Sequence, residues 1–527
     1  MLHTESRQGG AQGYHSLRKL SVALVVFVVL TLSACIGQKN SGDSEMTPEK
    51  IYALNTQSAV ECLEHLLSVN MDTLQADRAV AFHYKMGGQW LWAKEPDMVE
   101  QASSVIDYLR QHVGDIGFKP EVFFLPQMEA DIVRLDSLRF DSIDTMPVVM
   151  ARLEYDLSRA FLRYVRGQRY GFMNPSPVFN HLDLRDERPG DYRRLFDIPV
   201  EQPDSLFFEH ALGQVAEGRA VEFMQKCEPV DTVYILFNRL LITDSTADGR
   251  RRLLCNMERR RWRNDETLGR HQRFVFVNMP SQQVWAVAPD SVFSMRICLG
   301  AWKTKTPMLH SAISRIEINP EWVIPPSIIR NEISGHAGDS AYFARHRYFI
   351  INRHSGDTVD SRTISTEQLR SGGYRVAQRS GRGNSLGRII FRFPNQHAVY
   401  LHDTNNHGAF QGERRTISHG CIRLQRPFDM ATFLLPNADE WLLDRMRLSM
   451  DMKPVGEWGH NYLKKRAEER DKSPIRLISS TAVEPSVPIY LTYYTCFPNP
   501  ETGIIETWPD RYEYDRQIAK TLSLYFP

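Results

Sequence analysis

The hydrophobic period of this chain changes once, near residue 271, and that change constrains its fold more than any other feature. Before it, apolar residues recur at intervals of three and four. In "VMARLEYDLSRAFLRYVRG", Val149, Leu153, Leu157, Phe161 and Tyr164 form one stripe, which predicts a helix with a buried face; Gly167 reads as its stop signal. "DMVEQASSVIDYLRQH" (97–112) places Val99, Ser103, Ile106 and Leu109 or Arg110 at the same spacing. After residue 271, "RFVFVNM" and "QQVWAVAP" alternate or run apolar with β-branched and aromatic residues, which predicts strands. "RIIFRFP" and "HAVYLHDT" read as two more, then "RPFDMATFLLP" as a helix with Pro427 in its first turn. "ADEWLLDRMRLSM" is a second helix, and the chain returns to strand character in "VPIYLTYYTCF" before a last helical stretch. The expected class is therefore multidomain α+β, a helical first half followed by a mainly β second half.

A chain of 527 residues has room for two or more cores. Lys plus Arg number 64 against 63 for Asp plus Glu, so no basic excess points to nucleic acid. The densest basic stretch, "RRRLLCNMERRRWRN" (250–264), reads as a solvated helix face or a contact for an anionic surface or cell-wall carboxylates. "GRGNSLG" (381–387) looks loosely like a phosphate loop. A strand follows it where a phosphate loop needs a helix N-terminus, so it reads as a flexible loop bordering the strands that carry His402. At the N-terminus, Arg18 and Lys19 precede an apolar run (20–32) and "LSAC" (32–35), the pattern of a secretory signal. The run falls short of the roughly 20 apolar residues of a spanning helix; an uncleaved anchor helix is the alternative. "LSAC" resembles the lipobox of bacterial lipoproteins. That resemblance implies export and a lipid tether on Cys35, with "GQKNSGDSEMT" as the leash. The seven cysteines (35, 62, 227, 255, 298, 421 and 496) contain no C-x-x-C pair, and no disulfide is assigned.

The chemistry concentrates in "TISHGCIRLQRP" (416–427). A cysteine nucleophile needs a base, because a free thiol ionises only near pH 8.5. It also needs an unobstructed approach for a carbonyl, with N–H groups aimed at the developing oxyanion. Gly420, directly before Cys421, supplies the open approach. His419 lies two positions before Cys421, and His402 ends the strand "HAVYLH". Fifteen residues separate His402 from Ser418, enough for an antiparallel strand to return and bring both histidines to the thiol. On residue types alone, Cys421 could be structural, and His402, Asp403, His407, His419 and Cys421 could form a metal set. No helical H-x-x-x-H or paired cysteines support the metal, and none is assigned.

"HDTNNHGAFQGERRTISHGCIRL" closely resembles the active-site signature of the YkuD-type L,D-transpeptidases. "NMERRRWR", "KTKTPML", "INPEWVIPPSIIRNEI", "YFARHRY" and "GRGNSLGRIIFRFPNQHAVYLHDT" resemble the large subgroup with a helical scaffold domain and a lid inserted in the catalytic domain. The likeness runs over about 75–520 and is most specific across 270–435. It implies Cys421 as the nucleophile that attacks a tetrapeptide stem at its third residue and expels the terminal D-Ala, forming a thioester. It implies His402 as the base; His407, with only ten residues separating it from Ser418, is the lesser rival. His419 and Gly420 correspond to the segment shaping the oxyanion pocket, and Tyr400, two before His402 on its strand, to a tyrosine lining the site. Arg423 could bind a substrate carboxylate or brace the loop. Ser418 is expected to order the turn, at the edge of substrate binding.

The implied partners are peptidoglycan stem peptides, a donor tetrapeptide and an acceptor amine, and a membrane through the lipid anchor. No cofactor is implied. The implied place is outside the cytoplasm, in the periplasm, and the implied inhibitors are carbapenems. Rival outcomes of the same acyl-enzyme are hydrolysis (an L,D-carboxypeptidase) and attachment of a protein to the wall; a wall-associated lipoprotein without catalysis is the non-enzyme reading. The segment 184–250 is short and lacks the "DG…G…T" run and "F-Q" helix of the subgroup's peptidoglycan-binding module. The expected layout is a signal at 1–35, a linker and first helix at 36–70, a helical scaffold at 71–265 and a catalytic domain at 266–450. A lid spans about 309–386 of it, and an extension at 451–527 packs on the catalytic domain.

Overall fold

The stripe on the central helix dictates the scaffold. In the computed structural model, which describes residues 46–70, 73–185, 189–244, 246–266 and 270–527, the helix Met146–Tyr170 buries Val149, Leu153, Leu157, Phe161 and Tyr164 completely. It does not stop at Gly167. Phe172 folds back so closely that a side chain on Gly167 would collide with its ring. The helix ends instead at Gly171, whose φ of +87° suits glycine. The helices Gln75–Lys85, Pro96–Asp115, Leu125–Ser137 and Ala220–Cys227 pack around it. Cys35 and the apolar run before it lie outside the described residues, as does the linker up to residue 45. Residues 46–54 open the helix Pro48–Val69, and from Asn55 onward the chain is one compact unit.

The basic stretch is a solvated face only in its first cluster, where Arg251 is exposed. In the helix Ala247–Arg261, Arg259 and Arg261 are buried. Arg259 pairs with Asp515 at 2.6 Å, both side chains less than a tenth exposed. Arg261 pairs with Glu258 at 3.3 Å and lies over the rings of Phe118, Phe172 and Tyr234. Arg260 is bound by Asp231. Guanidinium groups tolerate burial when each is paired and stacked, and here they join the scaffold to the C-terminal segment. The tail continues that junction: Lys119 N–H donates to the Tyr525 carbonyl at 2.9 Å, and the Tyr525 ring packs on Phe172 at 4.9 Å. Asp515→Ala strands Arg259 without its partner and should cost about 3–5 kcal/mol of stability. Denaturant unfolding checks this; a loss below about 1 kcal/mol would show that the ion pair does not hold the junction.

The second half is a sheet closed on itself. The strands are β1 (Phe196–Asp197), β2 (Phe274–Asn278), β3 (Gln283–Ala288), β4 (Ser291–Gly300) and β5 (Met308–Ile318). After the lid strands β6 (Trp322–Val323), β7 (Tyr348–Asn352), β8 (Thr358–Val359) and β9 (Tyr374–Gln378) come β10 (Ile389–Arg392), β11 (Leu401–His402), β12 (Thr416–Ser418), β13 (Ile422–Leu424) and β14 (Ser480–Thr492). The order β5-β10-β11-β13-β4-β3-β2-β14 returns to β5, with β1 paired to β5 and β12 to β4. Closure removes the exposed edges of an open sheet. The segment after residue 450 is therefore not merely packed on this domain: β14 sits between β2 and β5 as a member of the ring.

The lid is a separate four-stranded sheet, β6-β9-β7-β8, with its own core of Ile329, Ile333, Phe343, Ile350, Leu369 and Val376. It is narrower than 309–386, because Met308–Ile318 is committed to the ring as β5. "GRGNSLG" is not loose either. Asn384, fully buried, donates to the carbonyls of Gln378, Arg379 and Pro320 and accepts from Leu386 N–H. That fixes the turn from the lid into β10.

Candidate active site

Strand pairing assembles the site. β11 lies between β10 and β13, in register Ile390↔His402 and, in parallel, His402↔Arg423. The expected antiparallel return is thus a parallel one; the intervening chain turns at His407–Gln411 and lays β12 along β4 before β13 comes back beside β11. Ile422 N–H donates to the Tyr400 carbonyl at 3.1 Å, which sets Tyr400 beside Cys421. Tyr400 and His402, two apart, share one face, their rings 6.0 Å apart.

The S-H-G-C turn is held from below. Ser418, buried, accepts from Gly420 N–H at 3.2 Å and donates to the Cys421 carbonyl at 2.6 Å. The Ser418 carbonyl accepts from Ala301 N–H and the Thr304 hydroxyl, both at 2.8 Å. Thr306 donates to the Gly420 carbonyl at 2.8 Å. Gly420 has φ of +118°, where a side chain would be strained. Cys421 N–H donates to no group among the described residues. His419 turns away from the thiol, and its Nε2 meets Glu332 Oε1 of the lid at 2.6 Å.

Cys421 is half-buried, its Sγ 3.6 Å from the Ala398 carbonyl. Burial pushes the thiol up to about 11, against the opposing pull of Tyr400, Arg392 and Arg423. His402 is 3% exposed. Burial, then the Arg423 charge, push its imidazole down to about 3, and its Nδ1 has no hydrogen-bond partner. The resting pair is therefore a neutral thiol and a neutral imidazole. Thiolate is the reactive form, so at neutral pH little of the thiol is ionised. Alkylation of Cys421 by iodoacetamide, followed by peptide mass, should rise nearly tenfold per pH unit and still be climbing above pH 9. A plateau between pH 5 and 8 would instead reveal a standing thiolate–imidazolium pair.

Arg423 leaves its Nε buried without a partner and makes no ion pair among the described residues. Arg392, which sequence reasoning missed, stacks over Tyr400 at 4.6 Å and pairs with Glu317 at 2.9 Å. Pairing "RIIFRFP" against "HAVYLH" in antiparallel register would have placed it opposite Tyr400. The imagined metal set is dispersed. His407 is 62% exposed by side chain and 3.7 Å from Asp403; Asp403 in turn accepts from Arg388 N–H at 2.8 Å. Among the described residues no three His, Cys, Asp or Glu side chains group as a metal requires. A cavity of about 660 Å³ bordered by Arg273, His310, Glu484 and Tyr490 contains none of the site residues.

Comparison with known proteins gives this geometry a family. Residues 272–444 match the family described as the L,D-transpeptidase catalytic domain, YkuD, and residues 77–241 match the Scaffold domain. A curated relative from Haemophilus influenzae, named "Putative L,D-transpeptidase", is 27% identical over 326 residues, 60% of this chain and 60% of its own length. The match thus spans less than two thirds of that relative. A solved L,D-transpeptidase from Mycobacterium smegmatis is 14% identical and covers 31% of this chain and 53% of its own; its TM-score of 0.18 is too low to carry any argument. The chain thus carries a stretch matching the Scaffold domain ahead of a stretch matching the YkuD L,D-transpeptidase catalytic domain, and the second holds the S-H-G-C turn.

Proposed function

We propose that this chain cross-links peptidoglycan between the third residues of two stems through a thioester on Cys421. The observation that carries the reading is the cluster on β11 and β13: a half-buried thiol beside Tyr400, a neutral buried imidazole with a free Nδ1, and an unpaired guanidinium. Cys421 Sγ adds to the donor carbonyl as its proton passes to His402. The C–N bond to D-Ala then breaks, and His402 returns the proton to the departing amine. In the second half the acceptor amine adds to the thioester carbonyl, the C–S bond breaks, and the amine's proton returns to sulfur by way of His402. Gly420 and the unengaged N–H of Cys421 face the developing oxyanion.

Arg423 gives the first half its trigger. Its charge adds to burial, the larger cause, in holding His402 non-basic, so a donor whose D-Ala carboxylate pairs with Arg423 lifts the smaller of the two restraints on the base. The lid sheet shields the thioester from water, which favours transfer over hydrolysis. Export and lipid attachment at Cys35 place the enzyme in the periplasm on a membrane tether, where stem peptides are available. The test is incubation of the purified chain with a tetrapeptide-stem disaccharide. Release of D-Ala with dimers linked between third residues is expected. D-Ala release with tripeptide monomers alone would make the chain an L,D-carboxypeptidase, and no D-Ala release would defeat the enzymatic reading.

A further inference from the structure

Of the two N–H groups closest to the nucleophile, one is already committed. Gly420 N–H is spent on the Ser418 hydroxyl at 3.2 Å, whereas Cys421 N–H donates to no group among the described residues. Where that free N–H points is decided at the other end of its own peptide bond. A trans peptide is planar, with its C=O and N–H directed oppositely, so whatever fixes the Gly420 carbonyl also aims the Cys421 N–H. Gly420, at a φ of +118°, has no side chain to restrict the swing of that plane. The restraint comes instead from Thr306, whose hydroxyl donates to the Gly420 carbonyl at 2.8 Å.

Thr306 is fully buried and held from three sides. Its Oγ1 accepts from Gly300 N–H at 3.0 Å, which leaves the hydroxyl proton for Gly420. Its own N–H lies 3.4 Å from the Tyr512 hydroxyl, which donates to the Gly300 carbonyl at 2.6 Å. The third tie runs through the preceding residue. Thr304 and Thr306 both reach the S-H-G-C turn, while Lys305, between them, reaches the scaffold. Its Nζ donates to Asp183 Oδ1 at 2.9 Å and lies over the Trp302 ring at 4.2 Å, with 2% of the side chain exposed. An ammonium buried that far is costly without its partner, so Asp183 fixes Lys305 and, through it, both threonines.

We propose that Thr306 is a positioning residue that aims the Cys421 N–H at the oxyanion, and that the Lys305–Asp183 pair makes this aim depend on the scaffold. The proposal rests on the acyl-transfer reading. It gives the scaffold a part in the rate of carbonyl addition and none in the reactivity of the thiol itself.

The test uses the full chain and two reagents for one sulfur. Acylation by a tetrapeptide stem, followed by intact mass, passes through an oxyanion. Alkylation by iodoacetamide displaces iodide at a saturated carbon and forms none. Thr306→Val keeps the shape of the side chain and removes the hydroxyl, and its acylation rate at saturating stem should fall about ten- to a hundredfold. The stem concentration at half-saturation and the iodoacetamide rate should both stay within about twofold. Thr306→Ser, which restores the hydroxyl, should recover most of the loss. Asp183→Asn loosens Lys305 and leaves Thr306 in place, so it should show the same split to a smaller extent even where Thr306→Val does not fold. Equal losses of acylation and alkylation would mean that these contacts only keep the turn folded, and would overturn the proposal. So would unchanged acylation in Thr306→Val or in Asp183→Asn. A wild-type chain that is alkylated at Cys421 yet forms no stem adduct sinks the acyl-transfer reading, and the positioning role with it.

Discussion

Cys421→Ala should form no covalent adduct with a tetrapeptide stem or a carbapenem, while the wild-type chain gains the mass of one acyl group. The loss is expected to be complete, because Cys298, which pairs opposite Arg423, is fully buried. Cys227, Cys255, Cys298 and Cys496 are buried, with thiols raised by burial first, and Cys62 lies on the helix Pro48–Val69 ahead of the scaffold. The variant should fold, since removing one half-buried sulfur opens little space. The turn around it is held by Ser418, Thr304 and Thr306, not by the thiol. Unchanged thermal unfolding together with zero adduct assigns the chemistry to the sulfur. An adduct on the variant would place the nucleophile elsewhere and remove the basis of the mechanism.

The second large effect is at His402. His402→Gln keeps a polar group of similar reach but cannot accept the thiol proton, and acylation should fall by about 10²–10⁴. His407→Gln should retain most of the wild-type rate, because His407 stands in solvent against Asp403. Stopped-flow acylation with a chromogenic carbapenem measures both. A loss at His407 with retention at His402 would reverse the assignment. The intermediate variant Arg423→Ala separates two effects: it frees His402 from a neighbouring charge yet removes the proposed carboxylate partner. Acylation by the stem should fall steeply, and alkylation by a neutral reagent only slightly, because the thiol loses one of the cations that favour its ionised form.

Local segments made the candidate site legible. "YLHD" and "SHGC" each carry their residues on adjacent positions, and the resemblance of the segment joining them points to Tyr400, His402 and Cys421; the gap alone suggests an antiparallel return, where β11 and β13 run parallel. The helical half followed from the stripe on Met146–Tyr170 for the same reason. What escaped depended on partners distant in the chain. Arg259 and Arg261 read as a surface cluster because Asp515 and the rings of Phe118 and Phe172 are far from them in sequence. Arg392 meets Tyr400 only through the β10–β11 register, and Glu332 meets His419 only because the lid folds over the turn. Gly167 was misread as a stop because packing by Phe172, invisible locally, requires a glycine within the helix.

The place of β14 also bears on how the chain comes to be folded. Ile489 pairs with Val275 and with Ser311, so the ring joins segments roughly two hundred residues apart. Contacts of that separation form late and slowly. Until the final tenth of the polypeptide is available, β2 and β5 each offer an unpaired edge to any passing strand. Maturation is thus all-or-none for the catalytic half. The cysteine and histidine can be brought together on β11 and β13, yet the chain around them stays prone to aggregation until its last long strand arrives. A clipped or prematurely released chain should accumulate as insoluble material, not as a weakened enzyme.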